Sequence, residues 1–472
     1  MEKLAVTLPE VRWINPFTNT DNKNSLSLMF NVFEPLIRLG KDGFYHGVLA
    51  EEWTVSPDAR TWIFSLRNPV YFHNQRVLTA EDVIDSLLRM INPDANSELG
   101  TKGIYDSYFH GADFFAVDDN TVKISLQSPM ADLLDFLSKF PIVSRYSDTT
   151  CPEKMEGTGP YVLSANDFGK ISMDAFPRYW GKKQEFDRII WEGQPDSNLR
   201  TEALIAGHTD LVSGILSKDL SALTSNDDLC ISSFPSSTCT VFMCNNQSGI
   251  CTDRRIRQAL NYAIDKKLLV QSIMNDAANV LTGPLTSNHF GFNPDTQAYA
   301  YDPMKAKALL SEAGYEHGFD LTLDVPSVLP DEALSIAKFM SEQYAQVGIV
   351  THIKEFADRP AYSELIRSKR IDDACCFDSS PLSTYQVFSD KFHSGLLGAW
   401  WQGYKNLEVD NLINKGQKTT NNSQRKIFYQ QAYQLIHDDA PWIFLFNEIL
   451  YWGKNSKIRS WSPYYDGIIR II

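Results

Sequence analysis

The chain lacks any long apolar run, any excess of basic charge, and the signature spacings of nucleotide, zinc or esterase chemistry. Each gap removes a class of function. The longest apolar stretch, Ala440-Pro441-Trp442-Ile443-Phe444-Leu445-Phe446, has the length of a buried strand, well below the roughly 18 residues that span a bilayer. Lysine and arginine number 44 against 58 acidic residues, a net charge of −14; nucleic acid and anionic lipid headgroups both call for the opposite sign. No GxxxxGK[ST], HExxH or GxSxG occurs, so no phosphate loop, paired zinc histidines or nucleophile elbow is expected. Gly157-Thr158-Gly159-Pro160-Tyr161 imitates a phosphate loop, but no third glycine follows and Pro160 has no N–H to offer. It reads as a turn into a strand. The nine histidines stand singly, none four residues from another. No catalytic constellation, cofactor or metal site is legible, and an enzyme is not expected.

Cysteine is scarce as well: seven, at Cys151, Cys230, Cys239, Cys244, Cys251, Cys375 and Cys376. An odd count in so long a chain excludes a dense disulfide scaffold and leaves room for one or two bridges in an oxidising compartment. Adjacent Cys375 and Cys376 are poorly placed to bond to each other. Cys244 and Cys251 lack CxxC spacing and read either as buried thiols or as a bridge closing the loop ahead of Arg254. Met1-Glu2-Lys3-Leu4 has neither the basic nor the apolar region of a signal segment. The protein is therefore expected to be cytosolic, or to have lost such a segment.

What is present is an ordered α/β alternation. At 472 residues the chain exceeds one core and predicts two or three domains. Trp62, Phe64 and Leu66 alternate with Thr61, Ser65 and Arg67, the period of a half-buried strand. Thr79 with Asp82 predicts a capped helix carrying Val83, Leu87 and Met90 on one face. Asp253 predicts the start of a helix over 254–270. Asp302, Pro303 and Gly314 bound another. Strands at 319–325, 349–355 and 442–446 and helices at 331–346 and 423–437 continue the pattern. Among these segments Ala374-Cys375-Cys376-Phe377-Asp378 stands out, a carboxylate at the end of an apolar strand, before the turn Ser379-Ser380-Pro381. Asp378 reads either as a cap of that turn or as an unpaired acid kept for a ligand's ammonium group, since a desolvated carboxylate needs a cation.

The series of motifs resembles a known family. Leu49-Ala50-Glu51-Glu52-Trp53, Asp58 to Arg67, Tyr71-Phe72-His73-Asn74 and Thr79 to Val83 come first. Gly157 to Tyr161, Arg178-Tyr179-Trp180, Arg257 to Asp265, Tyr301 to Tyr315, Asn406 to Asp410 and Asp438-Asp439-Ala440-Pro441 follow in order. Together they resemble the dipeptide- and oligopeptide-binding proteins of bacterial ABC importers, over nearly the whole chain. The resemblance implies a two-lobe, type II periplasmic-binding-protein-like fold with an inserted domain and a hinge of two crossing strands, closing over a peptide. It places the first lobe at 1–44, 156–238 and 447–472, the insertion at 45–155 and the second lobe at 239–446. It also implies a peptide ligand, ABC permease subunits as partners, a monomer, and a location in the periplasm or at the cell-envelope surface.

The oligopeptide members hold the peptide ammonium with an aspartate two residues after a cysteine, and Cys376-Phe377-Asp378 has that spacing. The resemblance therefore implies Asp378 as the ammonium partner, a Cys239–Cys376 disulfide, Glu34 as an acid near the ligand, and backbone pairing of the peptide around Cys375 and Phe377. Two departures stand out: the relatives have tryptophan in place of Cys375 and a basic residue in place of Asp372. These leave open an unusual cell-wall peptide, or a non-peptide ligand such as a metal chelate, opine or sugar. A hydrolase or chaperone on the same scaffold is a third reading, and the missing nucleophile, base and metal set counts against hydrolysis.

Overall fold

The computed structural model describes residues 2–20, 22–97, 102–328, 330–459, 461–464 and 466–472. The chain forms two compact units, Met1–Phe234 with Leu450–Ile472, and Pro235–Ile449. It is mixed α/β, and among the described residues no helix is long and apolar enough to cross a membrane.

In the first unit Lys3–Leu8 is the central strand, paired in parallel with Arg188–Gly193 on one side and Leu211–Ser213 on the other. Leu4, Val6 and Leu8 are fully buried. Lys170–Ala175 and Tyr161–Asp167 extend the sheet antiparallel beyond Arg188–Gly193. A separate four-stranded antiparallel sheet runs Ala50–Val55, Thr61–Leu66, Thr121–Ser125, Asp113–Asp118. Trp62, Phe64 and Leu66 point inward, as their alternation predicts. The helix Ala80–Met90 begins with the predicted Thr79–Asp82 cap, the Thr79 N–H and hydroxyl both donating to Asp82 Oδ2 at 3.0 and 2.8 Å. The tail closes this unit: Asn31 Nδ2 donates to the Ile469 carbonyl at 2.9 Å and the Ile471 N–H donates back to Asn31 Oδ1 at 2.8 Å.

In the second unit the strand order is Val350–Phe356, Asp320–Pro326, Ala374–Ser379, Cys239–Cys244 and the first part of Trp442–Asn455. The first three are parallel and the last two join antiparallel. Ala374–Ser379 is therefore an interior strand with a strand on each side, which is why it reads as a continuous apolar run. One core cluster packs Phe242, Leu321, Leu323, Val325 and Cys376 against Ile256, Leu260, Leu310, Ile336 and Met340 of the helices. The helix expected over 254–270 is two, Arg254–Tyr262 and Lys266–Met274. Asp265 breaks it by accepting the Leu268 N–H at 3.0 Å and capping a new helix. The strand expected at 442–446 runs on to Asn455.

Candidate ligand-binding site

Five of the six residues of Ala374–Ser379 are buried, and Asp378 alone retains solvent exposure. Its cross-strand neighbour is Thr240, whose hydroxyl donates to Asp378 Oδ1 at 2.7 Å. The carboxylate is thus oriented by its own chain, which corrects the expectation of an unpaired acid. Phe377, 7% exposed, packs its ring on Trp400 with centroids 5.1 Å apart. Lys391 Nζ lies 6.0 Å from the Phe377 ring centroid. Burial pushes the Cys239 thiol up, and there the Lys391 ammonium and the Asp378 carboxylate act in opposite directions. One end of the strand therefore gathers an acid, a buried cation, a hydroxyl and two aromatic rings.

Cys375 does not belong to that end. It is fully buried, and its backbone stands between Met243 and Asp324 of the two neighbouring strands. No ligand strand can be added where both edges are already occupied. The ladder with Asp320–Pro326 ends at Cys375, and the Cys376 carbonyl beyond it accepts from the Tyr362 hydroxyl at 2.7 Å.

The register also excludes a Cys239–Cys376 bond. Cys239 stands opposite Ser379, and Cys376 stands opposite Phe242. The two cysteines are three rungs apart, about 10 Å along the strands, where a disulfide needs Cα atoms within about 7 Å. Three is odd, so their side chains point to opposite faces of the sheet. Both are thiols here, as are Cys244 and Cys251, but those two share one core cluster, where the Cys244 thiol helps push that of Cys251 up.

Asp372 forms an ion pair with Lys354 at 3.0 Å. Its N–H donates to Oδ2 of the fully buried Asp324 at 2.7 Å. Burial, then the nearby Asp372 charge, push Asp324 up to about 7. The acid at 372 thus serves a carboxyl–ammonium cluster between strands, with the basic charge supplied by Lys354.

Glu34, in the first unit, is also occupied. It is 5% exposed and accepts from the Tyr179 hydroxyl at 2.9 Å, Trp180 Nε1 at 2.9 Å and the Thr158 hydroxyl at 3.0 Å. Burial pushes it up to about 7 against these donors. Its contacts join three motifs: Phe33 to Leu36, Gly157 to Tyr161 and Arg178 to Trp180. The glycines of the second have a packing reason, since a Cβ at Gly157 would lie 2.0 Å from the Val32 carbonyl oxygen and one at Gly159 2.7 Å from that of Asn31. Thr240, Lys391, Trp400 and Asp324 escaped sequence reasoning. Asp324 had a signal, an acid inside the apolar strand Leu321 to Val325.

The family model for bacterial extracellular solute-binding proteins, family 5, matches residues 45–380, more than half of the chain. The chain belongs to that family. Among curated members, heme-binding protein A of Haemophilus influenzae is 28% identical over 459 residues, covering 89% of this chain and 82% of the relative. The dipeptide-binding protein of Escherichia coli is 27% identical over 450 residues, covering 88% and 83%. The solved structure of HbpA2 from Haemophilus parasuis superposes with a TM-score of 0.87 at 22% identity, covering 99% of this chain and 98% of that one. The two-lobe binding-protein architecture is thus the fold of this solute-binding protein.

Proposed function

We propose that this solute-binding protein captures a peptide or peptide-like solute by its free ammonium group at Asp378 and delivers it to the permease of an ABC importer. The observation that carries the reading is Asp378 itself, the one partly exposed residue of an otherwise buried interior strand, with its carboxylate held by Thr240. A ligand ammonium would add a charge-assisted hydrogen bond to that carboxylate. Trp400 and Phe377 supply an apolar surface beside it. The dipeptide-binding relative supports a peptide. The heme-binding relative favours a second reading, a non-peptide solute on the same scaffold. In either case the protein acts outside the cytoplasm, in the periplasm or at the envelope surface, as a monomeric receptor without turnover. Glu34, with its three donors, serves as a positioning residue of the first unit. Native mass spectrometry of protein purified from its own host tests the ligand class. A co-purified mass that fragments as a peptide is expected; a metal chelate, opine, sugar or tetrapyrrole would overturn the peptide assignment.

A further inference from the structure

Cys244 ends the strand Cys239–Cys244, and Cys251 lies in the short helical turn Ile250–Thr252 after Gly249, whose φ of +74° turns the chain back. Both side chains are fully buried in the same core cluster as Phe242, Ile256 and Ala374. The two thiols interact, the Cys244 thiol being the largest of the influences that hold Cys251 well above the ordinary thiol range. The loop between them anchors the chain entering the candidate site strand. The Asn245 N–H donates to the Asp373 carbonyl at 2.9 Å, Asn245 Nδ2 donates to the Ile371 carbonyl at 3.1 Å, and the Asn246 N–H donates to the Gln402 carbonyl at 2.8 Å. From the other side Arg257 Nη1 donates to the Cys251 carbonyl at 2.9 Å.

We propose that Cys244 and Cys251 are a modification site: in the extracytoplasmic protein they are joined as a disulfide that staples this loop beneath the Ala374–Ser379 strand. Two buried thiols that share one core at the two ends of a loop turned back at Gly249 need little backbone movement to reach bonding geometry, and the family works where disulfides persist. In the reaction each thiol loses its proton, one Sγ–Sγ bond forms, and two electrons pass to the disulfide of a thiol-oxidising protein, or to oxidised glutathione in vitro, which leaves as two thiols. The attacking species is a thiolate. Both thiols are fully buried and out of reach of an oxidant, and the Cys244 thiol, then burial, hold Cys251 well above the ordinary thiol range, so the folded interior resists this step. The bond therefore closes while the chain is folding.

The test is thiol counting on secreted protein, unfolded without reductant and alkylated. Five of the seven cysteines are expected to label, seven after reduction, and peptide mapping should join Cys244 to Cys251. Cys244→Ser and Cys251→Ser should each raise the unreduced count to six. Should either variant fail to fold, the wild-type map alone decides. Seven labelled thiols in the unreduced protein, or a map joining other cysteines, would overturn the assignment. The timing is read separately. Oxidised glutathione added to the folded, reduced protein should leave seven thiols, and added before refolding should leave five. Equal oxidation in both arms would refute closure during folding.

Discussion

Asp378→Asn is the sharpest probe of how this receptor grips. Asparagine keeps the shape of the side chain and an oxygen for the Thr240 hydroxyl at 2.7 Å, and it removes only the charge. A hydrogen bond to a charged group contributes about 1.5–3 kcal/mol. Two features place Asp378 at the lower end. It is partly exposed, so water screens it, and the Lys391 ammonium beside Phe377 already opposes its field at Cys239. The expected loss is then about 1.5 kcal/mol, roughly tenfold in Kd. The assay is titration calorimetry at neutral pH and low salt, with a free-amine dipeptide and its N-acetylated form on both proteins. The variant should bind the free-amine peptide about tenfold more weakly and treat the acetylated one as the wild type does. Unfolding stability should change by no more than about 0.5 kcal/mol, the usual range for surface positions. Equal affinity of both proteins for the free-amine peptide would refute the anchor.

Two further predictions concern the second unit. Asp324 is pushed up to about 7 in the folded protein, above its ordinary carboxylate value of about 4. The folded state thus holds a proton that the unfolded chain releases. The stability this contributes is complete below about pH 4 and is lost as pH rises to about 7. Asp324→Asn cannot lose that proton, so its stability relative to wild type should climb across this window in urea melts; parallel pH curves would reject the assignment. Arg257 donates to the carbonyls of Cys251 at 2.9 Å, Thr252 at 3.1 Å, Asp439 at 2.8 Å and Ala440 at 3.2 Å. Lysine cannot reproduce that fork, and Arg257→Lys should cost about 3 kcal/mol of unfolding free energy, two charge-assisted bonds at about 1.5 each. A loss smaller than about 1 kcal/mol would show that water replaces the guanidinium.

Local structure was legible where a short-range rule sets it. The Thr79–Asp82 cap, the Asp302 cap and the alternation of Trp62, Phe64 and Leu66 all follow from neighbouring residues. The motifs that carry the family resemblance turn out to do structural work. Glu34 meets Thr158, Tyr179 and Trp180. Arg257 and Asn261 hold the backbone of Asp439 to Phe444, while Tyr404 and Asn406 hold the Asp439 carboxylate. They identify the scaffold and say little about the solute. The failures at Cys375 and at Cys239 with Cys376 have one cause, cross-strand register. A shift of one residue exchanges the faces of a strand, and the pairing that fixes register joins segments more than 130 residues apart, such as Thr240 and Asp378. The break at Asp265 was missed because an unbroken apolar period masks a side chain that caps mid-run.

The closure of the first unit by Asn31 has a consequence for biogenesis. Its partners Ile469 and Ile471 lie 438 and 440 positions further along, beyond the whole of the second unit, Pro235–Ile449. Asn31 finds these hydrogen bonds only after that distant stretch has been made, and such distant loop closure is slow. The first unit therefore cannot complete its hydrogen bonding before the second unit has been synthesised.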